Sequence, residues 1–146
     1  MTKLLQALLV GIFITFIADF FIFLGIFLNY IGHYNIDVYY NILFWDYQNI
    51  YILLISTIIF AIISTYIANI KFTAIAVGLL CLVSLSTLIP SVGYMVGENI
   101  LMSKNITYHD DRHRFIGDVY YDGREQITFY DYELKKTILL EKKDLK

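Results

Sequence analysis

Three long runs of apolar side chains, residues 4–28, 50–70 and 72–96, decide what this chain can fold into. A helix that crosses the hydrocarbon core of a bilayer needs about 20 residues. Each run reaches that length, so the chain reads as an all-α membrane protein with three transmembrane helices and a small C-terminal β-rich extramembrane segment. At 58% hydrophobic residues it carries too much apolar surface for an ordinary soluble domain. The first run exceeds the roughly 7 to 15 apolar residues of a secretory signal and no small-x-small site follows it, so it is expected to stay as an anchor. Lys71, beside Asn69 and Thr73, separates the second run from the third, which predicts a tight helical hairpin with the lysine at the membrane surface. The single cysteine, Cys81, falls in the third run and is expected to be a small buried residue. Repeated Asn-Ile pairs are read as the mark of an AT-rich bacterial genome, without structural role.

Residues 29–49 join the first two runs and hold Tyr30, Tyr34, Tyr39, Tyr40, Trp45 and Tyr47 with His33, Asp37 and Asp46. Tyr and Trp favour the headgroup layer, where the ring sits in apolar surroundings and the polar tip meets water. An interfacial loop is therefore expected, within a transmembrane region of residues 1–101. The loop has no Lys or Arg, whereas Lys3 and Lys71 fall on the opposite side, which predicts a cytoplasmic N-terminus and an outside tail. Lys104, Arg112 and Arg114 pull the other way. In the tail, residues 102–146, aromatic and β-branched residues alternate with polar ones. Strands are expected near 115–121, 126–132 and 137–140, with Asp122-Gly123 as a type I′ hairpin turn.

One acid interrupts the first run. At the centre of a membrane helix Asp19 costs about 2.5 to 3.5 kcal/mol, which the surrounding Ile, Leu and Phe offset at about 0.3 to 0.6 each. At 100° per residue Ala7, Gly11, Thr15, Ala18, Gly25 and Asn29 share one face with Asp19 on its edge, and small residues allow close helix approach. Matching depth by helical rise puts Asp19 level with Ser56, Thr57, Ser86 and Thr87, roughly 22 Å from the lysine side. Pro90 lies just beyond and is expected to leave the Ser86 carbonyl without its helical donor. The later runs contain no cation between 72 and 96 or between 50 and 70, so one that met Asp19 would come from another chain. Thr57, Ala61, Ser64, Thr65 and Ala68 form a second small-residue stripe, expected to pack within the chain.

The pattern His109-Asp110-Asp111-Arg112-His113 places two histidines at i,i+4 and would suit zinc on a helix. The arginines beside it and the missing third ligand favour a solvated linker, so neither a metal nor another cofactor is expected. Up to residue 100 two basic residues face four acidic ones, and the tail adds nine of each sign, which leaves no basic footprint for nucleic acid. His33 with Asp37 or Asp46 is the only candidate catalytic cluster, and no phosphate loop, nucleophile elbow or paired carboxylate accompanies it. The expected function is a non-catalytic accessory, assembly or structural subunit of a bacterial envelope complex in the inner membrane. Its partners would be the lipid bilayer and another membrane protein or a second copy. The alternative is a subunit of an ion-coupled transporter or channel that uses Asp19.

Overall fold

The computed structural model describes residues 2–67, 69–110 and 113–145. In it, α1 (Lys3–Ile26) continues into a π-helical turn over Phe27–Ile31. Together they form a rod of 29 residues, on the order of 43 Å long at 1.5 Å per residue and longer than a ~30 Å hydrocarbon core. The third apolar run is bent within itself, and the second is one helix set at an angle to a short helix of the preceding loop. Helix α2 (Tyr40–Tyr47) meets α3 (Ile50–Tyr66) at 83°, and α4 (Ile70–Ser86) meets α5 (Pro90–Leu101) at 88°.

The expectation of an all-α protein with three transmembrane helices is corrected by this geometry. Among the described residues, only Lys3–Ile31 is by itself long and apolar enough to cross a membrane; α3 and α4 have 17 residues each. Among the described residues five α-helices are joined to a four-stranded antiparallel sheet, so the β-rich part is a full sheet beside the helices and not a small appendage to an all-α protein.

The breaks have local causes. Asn49 and Asn69 cap α3 and α4: the Asn49 carboxamide oxygen accepts from the amides of Tyr51 and Ile52 at 3.0 and 3.2 Å, and that of Asn69 from Lys71 and Phe72 at 3.1 and 3.3 Å. Each removes amide donors from the orphans of a first helical turn. The Asn-Ile pairs at these two places therefore do have a structural role. Pro90, which has no N–H to donate, opens α5 as its first residue instead of interrupting α4. The Ser86 carbonyl accepts from the Ile89 amide at 3.0 Å, so it is not left open as the sequence suggested.

The small-residue face of α1 meets two partners. Gly11 lies against Thr57 and Ala61 of α3, and the Thr15 hydroxyl bonds to that of Thr57 at 2.9 Å. Gly25 lies against Thr87, whose hydroxyl donates to the Phe21 carbonyl at 3.1 Å, while the Asn29 amide donates to the carbonyls of Thr87 and Leu88 at 3.0 and 3.3 Å. These contacts run α3 antiparallel and α4 parallel to α1, so Lys3 and Lys71 share one end and the sheet takes the other. Ala7 and Ala18 are buried, and Ser64 and Thr65 of the α3 stripe are half-buried; Ala68 lies outside the described residues. Cys81 is exposed on α4, not buried as expected.

The sheet is a meander of β1 (Ser103–His109), β2 (Arg114–Asp122), β3 (Gln126–Asp131) and β4 (Lys136–Glu141). No positive-φ glycine occurs among the described residues. The β2–β3 connection at 123–125 is therefore not a type I′ turn, which requires φ > 0 at both central residues. At the next connection the buried Asp131 carboxylate accepts from the amides of Glu133 and Leu134 at 2.7 and 2.9 Å, an Asx turn. Lys135 follows at φ 51°.

Filling the contact at Gly25 tests this packing. Gly25→Ile drives a side chain into Thr87 and should lower stability in detergent by about 1 to 3 kcal/mol, as overpacking does. Gly78→Ala, at a helix-interior glycine with nothing within 4 Å, should instead raise it by about 0.5 to 1 kcal/mol. Equal thermal midpoints for the two variants would contradict the packing described.

Candidate functional site

The helices and the sheet meet at a junction lined by tyrosines, built around an irregularity in β2. Val119 pairs with Phe129 and Tyr121 with Thr128, so Tyr120 is an extra residue with no partner on β3. Such a bulge leaves a residue out of the ladder and turns the next side chain to the other face. Val119 therefore joins Ile127, Phe129 and Leu140 in the sheet's own core, while Tyr121 packs with Phe23, Ile26, Tyr30 and Leu43 of the helical part. The Tyr120 carbonyl accepts the hydroxyl of Tyr30 at 2.8 Å.

Further contacts surround this bond. The ring of Tyr34 lies 4.0 Å, centroid to centroid, from that of Tyr120, which stacks in turn on Tyr130. The Tyr34 and Tyr94 hydroxyls bond at 2.6 Å, joining the loop after α1 to α5. Burial, and then the Tyr94 hydroxyl, push the Tyr34 phenol well above its ordinary range. It stays neutral and acts as a hydrogen-bonding group. Tyr47 donates to the Asp122 carbonyl at 3.0 Å, and burial pushes its phenol up to about 12. At the rim, Arg124 grips Asp46 through Nε and Nη2 at 2.6 to 3.0 Å and holds that carboxyl below the usual range.

The residues singled out in the sequence are dispersed by this arrangement. Asp46 belongs to the junction. His33 is exposed with its ring against Tyr34 and Tyr94, at 4.9 and 5.0 Å, and Trp45 is exposed. Asp37 is exposed beside a groove, and no contact joins His33 to Asp37 or Asp46 among those of the described residues. The polar layer also separates. Asp19 accepts from the Gln48 amide at 2.9 Å, Thr57 meets Thr15, and Ser86 bonds back to Val83 at 2.7 Å; Ser56 is half-buried.

Asp19 thus meets a neutral amide from the α2–α3 break. The Oε1 of Gln48 is buried without a hydrogen-bond partner among the described residues.

His109 ends β1 and pairs in register with Arg114, while the His113 carbonyl accepts from the Asp110 amide at 2.9 Å. The two histidines flank a strand connection, so the helical i,i+4 spacing that zinc would use is not formed. Asp111 and Arg112 lie outside the described residues, and no group of three or more metal-ligating side chains occurs among those described.

Sequence reasoning missed Gln48, Tyr120 and Arg124. Only Arg124, a cation placed in a strand connection, carried any signal. Comparison with family models, with curated proteins and with solved structures produced no match. The geometry therefore carries the functional reading alone.

Tyr30→Phe removes the donor to the bulge carbonyl and should cost about 1 to 3 kcal/mol if that oxygen stays buried. Hydrogen exchange should accelerate in β2 and β3 more than in α1; uniform acceleration would contradict a local junction. The folded-state pKa of Asp46 is depressed, so its contribution is complete above the unfolded value of about 3.9 and is lost as pH falls through the lower folded value. Acid titration of sheet protection should show that loss below about pH 4, and Asp46→Asn should remove it.

Proposed function

We propose that the chain is a non-catalytic accessory, assembly or structural subunit of a bacterial envelope complex, anchored in the inner membrane by α1. The observation that carries this reading is a sheet fastened to the helices along β2 while its far strand stays open. Tyr30, Tyr34, Tyr47 and Asp46 hold one side. Strand β4 ends the sheet with no strand beyond it among the described residues, and Leu139 on it is 64% exposed. A strand edge with free backbone groups is a template for pairing with another chain. Leu4, Phe13, Ile52, Leu82 and Val83 give α1, α3 and α4 exposed apolar faces that suit lipid or a neighbouring membrane helix. Lys3 and Lys71 at the end away from the sheet favour a cytoplasmic N-terminus and an outer sheet, against the pull of Lys104, Arg112 and Arg114 in the tail.

The ion-coupled alternative rests on Asp19 and on the unpartnered Oε1 of Gln48. It is weaker because the acid's hydrogen-bond partner does not titrate, and a relay needs successive titrating groups.

A photoreactive amino acid at Leu139 in intact membranes should capture a second, different polypeptide. Capture of the chain's own copies alone, or of nothing, would overturn the accessory reading. Asp19→Asn should leave this capture and cation- or proton-dependent flux in reconstituted vesicles unchanged. Loss of flux would establish the ion-coupled alternative.

A further inference from the structure

The two edges of the sheet are built differently. Strand β1 is guarded: its register shifts between Ser103 and Ile106, Asn105 within the shift adopts φ 56°, and the Asn105 amide donates to the Asp118 carboxylate at 3.0 Å. A bulged edge of this kind resists pairing with another chain. Strand β4 has neither bulge nor proline, and its six residues pair with β3 in unbroken register from Lys136 to Glu141.

Bonds at the strand ends fix which groups of β4 are free. The Gln126 carbonyl accepts from the Gly123 amide and the Ile116 carbonyl from the Tyr132 amide, both at 3.0 Å, so even-numbered residues along β3 face β2. Odd-numbered ones face β4, and the Lys142 amide extends that ladder by donating to the Glu125 carbonyl at 2.9 Å. Bonded and non-bonded pairs alternate in antiparallel pairing. With Ile127–Leu140 and Phe129–Ile138 as bonded pairs, the amides of Thr137, Leu139 and Glu141 point away from the sheet. No acceptor meets these amides among the described residues.

The surroundings of this edge have a definite chemistry. Thr137 and Leu139 line an open groove of about 700 Å³ whose far wall holds Val38, Tyr39 and Ile42. A strand laid along β4 sends alternate side chains to this side, so the one opposite Leu139 meets apolar surface. Lys135 and Lys136, at the start of β4, are exposed and have no ion pair among the described residues, whereas Lys142 and Lys143 at its other end are held by Asp122 and Glu141. Glu133 of the same turn offsets one of the two free lysines and leaves the other unmatched. A second copy of the chain brings the same excess of positive charge, so electrostatic complementarity favours an acidic partner over self-pairing.

We infer that β4 receives an extended segment of a partner protein as a fifth, antiparallel strand. The segment carries a β-branched apolar residue opposite Leu139 and a pair of acidic residues at its C-terminal end, beside Lys135 and Lys136. Backbone bonds to the three outward amides supply affinity, and the apolar residue and the acids select the partner. The inference rests on the accessory reading above and specifies the part of the partner that is bound.

The test uses the full chain in lipid nanodiscs and an end-capped, fluorescent peptide, Thr-Thr-Val-Thr-Val-Glu-Glu, whose binding is read by anisotropy and by residue-resolved hydrogen exchange. When the peptide is nine-tenths bound, exchange should slow about tenfold at the amides of Thr137, Leu139 and Glu141 and stay unchanged at Ile138 and Leu140, which already bond to β3. Lys135→Glu combined with Lys136→Glu, both at exposed positions, should weaken binding about fivefold, the effect of two exposed ion pairs. A peptide ending in two lysines should restore binding to that variant. Leu139→Lys should abolish binding with protection of β2 and β3 intact, since an edge lysine blocks pairing. Exchange slowed at none of the three amides, or equally at all five, would overturn the inference. So would undiminished binding to the double variant, or equally tight binding of an end-capped peptide of residues 135–141 of this chain, which would assign the edge to a second copy. Photocapture at Leu139 separates the two readings: a different polypeptide captured by a chain that does not bind the peptide refutes only the strand chemistry, and capture of nothing refutes the accessory reading as well.

Discussion

The extra residue in β2 decides how the two halves of this protein fit together. A sheet with strict alternation would send Val119 and Tyr121 to the same face and would offer the helices no free carbonyl. The bulge at Tyr120 gives Val119 to the sheet's own core and Tyr121 to the helical core, and the Tyr120 carbonyl accepts the hydroxyl of Tyr30. One inserted residue thus allows one strand to serve two hydrophobic clusters. The buried ring of Tyr121 follows from that change of face, and the Arg124–Asp46 pair fastens the same side of the sheet to α2.

What the sequence revealed depended on the range of the interaction behind each feature. Strands near 115–121, 126–132 and 137–140 were legible from alternation and coincide with β2, β3 and β4, because alternation is local. Strand β1 was not, since its partner register shifts at Asn105, which adopts φ 56°. The three apolar runs were legible by composition, but the bend that splits the third into α4 and α5, and the one that sets α2 against α3, were not. Their causes were visible as Asn49-Ile50 and Pro90, yet a cap and a codon bias look alike until the amides of the following turn are seen to meet the carboxamide. The junction was illegible for a stronger reason. Tyr30 and Tyr120 are 90 residues apart, Asp46 and Arg124 78, and nothing in either residue's neighbourhood announces the other.

The polar groups inside the apolar helices show a consistent economy. Thr15 and Thr57 satisfy one another, Asn29 donates to the carbonyls of Thr87 and Leu88 where α4 stops, Thr87 donates to the Phe21 carbonyl of α1, and Asp19 takes the amide of Gln48 where α2 turns into α3. Helix ends and bends leave backbone groups without partners, and several of these side chains stand at such places. The depth match that would collect them in one layer fails because the helices are offset along one another: Thr57 meets Thr15, Thr87 meets Phe21, and Asp19 between them meets Gln48.

The separation in sequence between the two sides of the junction has a consequence for the order of assembly. The meander joins strands through short connections, so its pairing is local and fast, whereas the contacts to Tyr30 and Asp46 close loops of 90 and 78 residues. Closing such loops is entropically costly and slow. During synthesis the helices and the sheet can each form before they meet, and their docking is the late step. Until then the tyrosine face of the sheet and the end of α1 are both open, so docking is the step that covers the apolar surface each part leaves bare.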